Sequence, residues 1–309
     1  MSASIGVVGS NMVDLVTYVD RMPAAGETIA APRFAMGHGG KGANQAVAAA
    51  KLGARVVYVG CVGEDLFGAN TRKNLGALGV DTTHLRSVAG MASGVAPIFV
   101  EPSGENRILI VKGANEALSP ADVDKAAADL RECALILLQL EVPLETVYHT
   151  IAWAKRAGVK VLLNPAPATP ELDLARLDGV TFFAPNQTEL AILTNMPTQT
   201  AAEAEAAARS LLPHGIATVI VTLGGEGSLL VTAEGATHVP PVRVTPVDTT
   251  VAGDAFLGAF VQHYAENPDV LAAMRWGAAY AADSITRPGT QSAQADATQF
   301  AAFRRERGL

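Results

Sequence analysis

The sequence predicts an α/β fold: a mostly parallel sheet covered by helices, with a small separate β-sheet projecting from it. Three observations predict it. From residue 120 onward, short apolar runs alternate with helical patterns, and such alternation encodes a parallel sheet with right-handed crossovers. Asp14, Glu141, Asn164, Asn186, Thr222 and Asp254 all fall just after strand-like runs or at helix starts, the edge of an open α/β sheet where ligands bind. Residues 94–112 break the alternation with two apolar runs around a turn, a β-hairpin.

In chain order, Ile5-Gly-Val-Val-Gly-Ser10 reads as a buried strand. Asp14, just past it, is placed to accept hydrogen bonds from ligand hydroxyls, or else is an ordinary turn aspartate. Gly6 and Gly9 do not fit the dinucleotide fingerprint GxGxxG. Residues 15–36 hold Pro23, Gly26 and short alternating pieces, the pattern of small strands. Gly37-His-Gly-Gly-Lys-Gly42 then leads into an Ala-rich helix over about 43–52, closed by Gly53. The glycines resemble a phosphate cradle, but Gly42 stands where a P-loop needs Ser or Thr. The other use is close packing of a sugar on bare backbone, with Lys41 and Asn44 as hydrogen-bond donors; His38 reads as a loop side chain.

A strand over 55–61 and a helix over 64–79 follow. The hairpin of 94–112, with its turn at 102–106, joins 15–36 in a small sheet, a candidate lid; the alternative is an antiparallel edge of the main sheet. Beyond it come helix 120–132, strand 134–140 ending at Glu141, helix 144–157, strand 160–163 ending at Asn164, and strand 182–184 ending at Asn186. Helix 201–212 precedes strand 218–222, which runs into Leu223-Gly-Gly-Glu-Gly227. An Ala-rich helix over 269–283, a polar loop, and a surface helix over 294–307 with Phe300 and Phe303 on one stripe complete the chain.

The most informative stretch is Val247-Asp-Thr-Thr-Val-Ala-Gly-Asp-Ala-Phe-Leu-Gly-Ala-Phe260. An extended polar piece turns at Ala252-Gly253 and becomes apolar at helical spacing. The free N–H groups and positive dipole end of such a helix attract phosphate, and small residues let it approach. A carboxylate there, Asp254, suits a base that takes the proton of a hydroxyl attacking the phosphate; alternatively Asp254 is an N-cap and Asp248 decorates a turn.

Composition bounds the rest. The chain has 309 residues, 49% hydrophobic and 17% charged, enough for a substantial core. A net charge of −7 argues against a nucleic-acid or anionic-membrane surface. No apolar run reaches membrane-span length, and the N-terminus lacks a basic region, with Asp14 interrupting its apolar run. The cytoplasm is the expected location. Cys61 and Cys133, without a CxxC, read as buried reduced thiols, and the six histidines show no metal-ligand spacing. Without repeats or linkers, 1–309 reads as a single domain, with lid strands from about 15–36 and 94–112.

Two separated motifs, Gly39-Gly-Lys-Gly-Ala-Asn-Gln45 and Asp248-Thr-Thr-Val-Ala-Gly-Asp254, together resemble the two signatures of the ribokinase-like sugar kinases. The elements between them match over essentially the whole chain, and the first motif points to the pentose-kinase branch. Gly9-Ser-Asn-Met-Val-Asp-Leu15, Ala96-Pro-Ile-Phe-Val100 and Leu138-Gln-Leu-Glu-Val142 look closest to the deoxyribokinases, sisters of the ribokinases. The resemblance implies a three-layer α/β/α domain with a β-sheet lid, and phosphorylation of a pentose 5-hydroxyl by ATP. It makes Asp254 the base, with Ala252 and Gly253 N–H groups holding charge on the phosphoryl group. Met12, Asp14, Gly40, Lys41, Gly42, Asn44 and Glu141 would hold the sugar. Asn186, Thr222, Gly224, Gly225, Gly227, Gly253 and Ala278 would hold ATP and its Mg²⁺. Asp248, Thr250, Ser284, Arg287 and Gly289 would bind an activating K⁺.

Three positions qualify the resemblance. Val251 replaces a small residue of the usual pattern, and a β-branched residue demands an ordinary β or α backbone there. Ala293 stands where the family usually offers K⁺ a serine oxygen. Met12 stands where ribokinases often place Asn, and an apolar side chain suits a sugar lacking the 2-hydroxyl. The expected substrate is therefore 2-deoxy-D-ribose with D-ribose also accepted. The alternatives are a ribokinase proper, a nucleoside or hexose kinase of the same family, or a non-catalytic sugar-binding module. A nicotinamide-dependent oxidoreductase is disfavoured by the missing GxGxxG. An exposed lid edge would favour a homodimer that pairs lids.

Overall fold

The main sheet is built from strands that are apolar on both sides, as parallel strands buried between helices must be. In this computed structural model, which describes residues 4–103 and 105–309, its centre is β1 (Ser4–Val8), between β4 (Arg55–Gly63) and β8 (Leu135–Leu138). β5 (Val80–Val88) continues it on one side, β9 (Lys160–Leu163), β10 (Phe182–Phe183) and β11 (Thr218–Thr222) on the other, all parallel. β12 (Ser228–Val231) and β13 (Ala236–Val239) finish that side antiparallel, so the described residues give nine strands in the order β13-β12-β11-β10-β9-β8-β1-β4-β5.

Helices cover both faces. α3 (Pro120–Lys125), α4 (Ala127–Arg131), α5 (Leu144–Ala157), α6 (Gln187–Thr194) and α7 (Ala201–Arg209) pack one face through Val8, Ile136 and Leu138. α1 (Lys41–Lys51), α2 (Leu66–Ala77), α8 (Ala252–Glu266) and α9 (Val270–Ser284) pack the other through Val7, Leu137 and Phe182. Successive strand residues thus serve opposite cores, the period of a pleated strand. α10 (Ala297–Arg307) lies outside α8 and α9, burying Phe300 and Phe303 against Tyr280. Cys61 and Cys133 are buried free thiols, as expected, and no helix of the described residues is long and apolar enough to cross a membrane.

One contact fixes the site. A Cβ on Gly258 would come within 2.4 Å of the Ala48 Cβ and 2.6 Å of the Gln45 carbonyl, so only glycine lets α8 cross α1 this closely. The crossing sets the first turn of α8 beside Asn44 and Gln45.

The small sheet is separate from the main one, with the order β3-β2-β6-β7: β2 (Met12–Tyr18), β3 (Arg33–Gly39), β6 (Val95–Val100) and β7 (Asn106–Ile108). The hairpin is thus part of a projecting sheet, not an edge of the large one. Gly104 of the expected 102–106 turn lies outside the described residues. Only Gly9, Ser10 and Asn11 separate β1 from β2, and Asn115 clamps this crossing by accepting from the Asn11 N–H (3.0 Å) and donating to its carbonyl (2.7 Å).

Several expectations need correction. Asp14 lies inside β2, not just past a strand, because the chain enters the small sheet at Met12. The helix at 120–132 breaks at Ala126 into α3 and α4. The turn expected at Ala252-Gly253 falls before Ala252, which opens α8. β5, β12 and β13 are absent from the sequence reading: β5 is polar and half-buried at the sheet edge, and the other two are four residues each.

Candidate active site

The first turn of α8 has Val251 at its N-cap, with no side-chain cap, at φ −95° and ψ 0°. The negative φ is what a valine demands, although the residue sits in the bridge region rather than in β or α. Asp254 is the third helical residue, so it is not the N-cap. It is buried, and its carboxylate accepts from Asn44 Nδ2 (3.0 Å) and Gln45 Nε2 (2.9 Å). The N–H groups of this turn are free of any capping side chain and form an anion-attracting end.

Gln45 had no role in the sequence reading. Its amide also donates to Asn164 Oδ1 (3.1 Å) while accepting from Gln139 Nε2 (2.7 Å), and Asn164 in turn donates to the Ala184 carbonyl (2.9 Å). Asp254 is therefore oriented by a buried amide network anchored in β9 and β10. The available signal is a glutamine beside Asn44 at the head of an Ala-rich helix.

On the opposite side, Glu141 Oε2 accepts from the Lys41 N–H (2.8 Å) and the Ser10 hydroxyl. It thereby caps α1, whose N-cap Gly40 has φ 86° and offers no side chain. A Cβ at Gly40 would meet the Asn11 backbone at 2.6 Å, and one at Gly42 the Ser10 N at 2.6 Å. Burial pushes the Glu141 carboxyl up, against the Ser10 hydroxyl and the Lys41 ammonium. Burial also raises Asp14 to about 6, with Glu141 and Asp254 adding to the shift and the Thr290 hydroxyl opposing it. Thr290 bridges Asp14 Oδ2 (3.3 Å) and the His38 carbonyl (2.6 Å), a link between the C-terminal loop and the small sheet that the sequence did not signal. A Cβ on Gly39 would lie 2.3 Å from Asp14 Oδ1, so the glycine makes room for the carboxylate. Met12 is buried at the start of β2, opposite Gly39.

A cleft of about 820 Å³ opens between these groups and β11, within the range of small-molecule sites. It brings together Lys41, Asn186, Thr222, Gly224, Gly225, Gly227, Thr250, Ala252, Gly253, Asp254 and Ala278. Met12, Asp14, Gly40, Gly42, Asn44 and Glu141 do not line it, although Asn44 bonds to Asp254 and Glu141 to the Lys41 N–H. Burial pulls the Lys41 ammonium down, but the carboxylates of Asp254, Glu141 and Glu189 raise it overall, so it stays charged toward the cleft. Asn186 caps α6, accepting from the Glu189 N–H (2.8 Å). Glu189, also unassigned from sequence, lines the cleft, and burial raises its carboxyl. Asn186 and Glu189 supply the oxygen donors a nucleotide-bound Mg²⁺ prefers.

Asp248, Thr250, Ser284, Arg287 and Gly289 form a second cluster. Asp248 accepts from the Thr250 N–H (2.9 Å) and hydroxyl (2.6 Å) and from the Gly289 N–H (2.9 Å); against burial, these bonds hold its carboxyl below the usual range. The Arg287 guanidinium is paired with Asp283 (2.7 Å), so only its backbone carbonyl suits a cation. The Ser284 hydroxyl donates to the Ala281 carbonyl (2.8 Å). Ala293 is fully buried and its carbonyl accepts from Arg287 Nε (2.9 Å), so it offers no side-chain oxygen. Asp248, Thr250 and Gly289 are thus joined directly by hydrogen bonds, while the Ser284 carbonyl accepts from the Arg287 N–H (3.3 Å).

A helix end that attracts phosphate, a buried carboxylate beside it and a nucleotide-sized cleft define a phosphotransferase site. The comparisons agree. The description "pfkB family carbohydrate kinase" matches residues 2–297, and the chain belongs to that family of sugar kinases. It is 53% identical to the deoxyribokinase of Salmonella typhi over 296 residues, 96% of this chain and 97% of that protein. It is 40% identical to the ribokinase of Haemophilus influenzae, over 94% of this chain and 95% of that one. Among solved structures, the Arabidopsis thaliana ribokinase complexed with ribose and ATP superposes with a TM-score of 0.91 at 33% identity, covering 98% of this chain and 99% of the other.

Proposed function

We infer that this protein transfers the γ-phosphoryl group of ATP to the 5-hydroxyl of a pentose, favouring 2-deoxy-D-ribose and accepting D-ribose. The observation that carries the reading is the buried Asp254 carboxylate, oriented by Asn44 and Gln45 in the first turn of α8 on the wall of the cleft. The similarity to a deoxyribokinase supports the sugar. Asp254 takes the hydroxyl proton as the oxygen bonds to the γ-phosphorus and the bond to the bridging oxygen breaks, releasing ADP. The Gly253 N–H and Lys41 face the charge on the transferred group, whereas the Ala252 N–H donates to the Thr249 carbonyl (3.1 Å). Asp14, Gly40, Gly42, Asn44 and Glu141 position the sugar, and Met12 borders its second carbon. Thr222, Gly224, Gly225, Gly227 and Ala278 hold the nucleotide.

Asn186 and Glu189 would hold Mg²⁺, which would supply neutralisation of phosphate charge. K⁺ at Asp248 and the carbonyls of Thr250, Ser284, Arg287 and Gly289 would activate by fixing the loop before α8. Phe34, Met36 and 108–111 expose apolar side chains on the small sheet, which supports its use as a lid and as the interface of a homodimer. The cytoplasm suits two free thiols. A D-ribose-specific ribokinase is the second reading, favoured by the ribokinase similarity.

The test is ADP release from Mg-ATP with 2-deoxyribose, ribose, fructose and adenosine in parallel, with and without K⁺. Turnover highest with 2-deoxyribose is expected; turnover only with ribose selects the second reading, and none with either pentose rejects both.

A further inference from the structure

A second cavity, of about 780 Å³, lies between α9, α10 and the stretch 240–243 that follows β13. Three elements bring four arginines to it: Arg243 from the stretch, Arg275 from α9, and Arg304 and Arg307 from α10. His263 of α8 joins them, and no Asp or Glu side chain lines the cavity among the described residues.

These guanidinium groups are unspent. Elsewhere, Arg86 pairs with Asp122, Arg176 with Glu145, Arg209 with Glu205 and Arg287 with Asp283, while the scattered Arg55, Arg131, Arg156 and Arg305 pair with none among the described residues. Among the described residues, Arg243, Arg275 and Arg304 form no ion pair, and Arg307 reaches only Glu306, at 3.9 Å. Arg304 lies over the Trp276 ring (4.5 Å) and Arg307 over the Phe303 ring (4.0 Å). Stacking holds a guanidinium by its face and leaves its in-plane N–H forks free, the geometry that engages phosphate oxygens in pairs. Converging like charges repel one another, and in a chain of net charge −7 a bound anion relieves that repulsion. Pro241, Val242, Arg243 and Ala278 line both this cavity and the cleft of the active site, so an occupant here bears on the other side of the same wall.

We propose that this pocket binds a small metabolite carrying two or more phosphate charges, and that binding changes nucleotide affinity through the shared wall. The experiment is calorimetric titration of pyrophosphate into the full chain with the cleft filled by Mg-ADP, since the end of α8 also attracts phosphate. Arg275→Glu is the main variant, because Arg275 makes no side-chain hydrogen bond or ion pair among the described residues; Arg304→Gln is the second. One binding event is expected, weakened at least about tenfold in both variants. Pyrophosphate should also change ADP affinity about fivefold or more in the wild type alone, the usual size of a coupling. A pentose 5-phosphate is run in parallel in the wild type and Arg275→Glu: as the product of the proposed reaction it also fits the sugar end, so only binding that weakens in the variant marks a sugar phosphate as occupant. Equal binding in the variants, no binding in the wild type, unchanged ADP affinity, or capture of heparin without pyrophosphate would each overturn the proposal. Heat and ADP affinity are read without turnover, so failure here is distinct from failure of the kinase reading.

Discussion

The two ends of the candidate site are made differently. The proposed phosphate end consists of backbone groups: the first turn of α8 and the glycines of 224–227, the former at the start of a helix that sequence encodes locally. The proposed sugar end consists of buried side chains from distant segments, Asp14 from β2 and Glu141 after β8, beside the half-buried Lys41 of α1. Free N–H groups at a helix end are present without further cost, whereas a buried carboxylate must be held against desolvation. Its hydrogen bonds and its cationic neighbour are therefore part of the site. Affinity for phosphate should be robust to single changes, and recognition of the sugar should be fragile and pH-dependent.

The sharpest break in that comparison is Asp254→Asn, which keeps the shape and removes the base. A fall in kcat of about 10²–10⁴ with little change in ADP affinity is expected; steady-state ADP release and nucleotide titration check it, and a small fall in kcat would remove Asp254 from the chemistry.

Asp14 comes next. Its folded pKa, about 6, lies above its ordinary 3.8. The stability its protonation contributes is therefore full below about pH 4 and is lost as pH rises through 6, by about 3 kcal/mol. Asp14→Asn should raise the Tm at pH 8 and leave it unchanged at pH 3.5, while weakening sugar binding. In the wild type, kcat/KM for the sugar should fall as pH drops below about 6. Thr290→Val removes the bond that opposes the shift, and should move that limb upward. A limb that stays in place under both substitutions would assign it to another group.

Met12→Asn sharpens the sugar end further. The deoxyribose-to-ribose ratio of kcat/KM should fall, by about 10²-fold at most, since a pocket lacking a polar partner rejects an added hydroxyl only weakly. An unchanged ratio would make Met12 a packing residue. The smallest expected effect is Ala293→Ser: supplying the missing oxygen should lower the K⁺ concentration giving half-maximal activation.

Much of this was legible in advance because it rests on local rules. The parallel alternation, the helix after the Asp248–Asp254 motif, the glycine run before α1 and the buried thiols follow from periodicity and chain stereochemistry. The edge strands β5, β12 and β13 were not legible, because half-burial weakens their pattern. Asp14 was placed outside a strand because nothing local marks the passage from one sheet to the other at Gly9-Ser10-Asn11.

The sequence by itself determined the fold class, the family resemblance and a helix following the Asp248–Asp254 motif, since a helix N-terminus is set by residues adjacent in the chain. Only the tertiary structure decided that Gln45, Gln139 and Asn164 orient Asp254, that Thr290 holds Asp14, that Glu189 lies near enough to Lys41 to raise its ammonium, and that four arginines share one pocket. Those contacts join residues that are mostly many tens of positions apart, and burial and crossing angles, not spacing, bring them together.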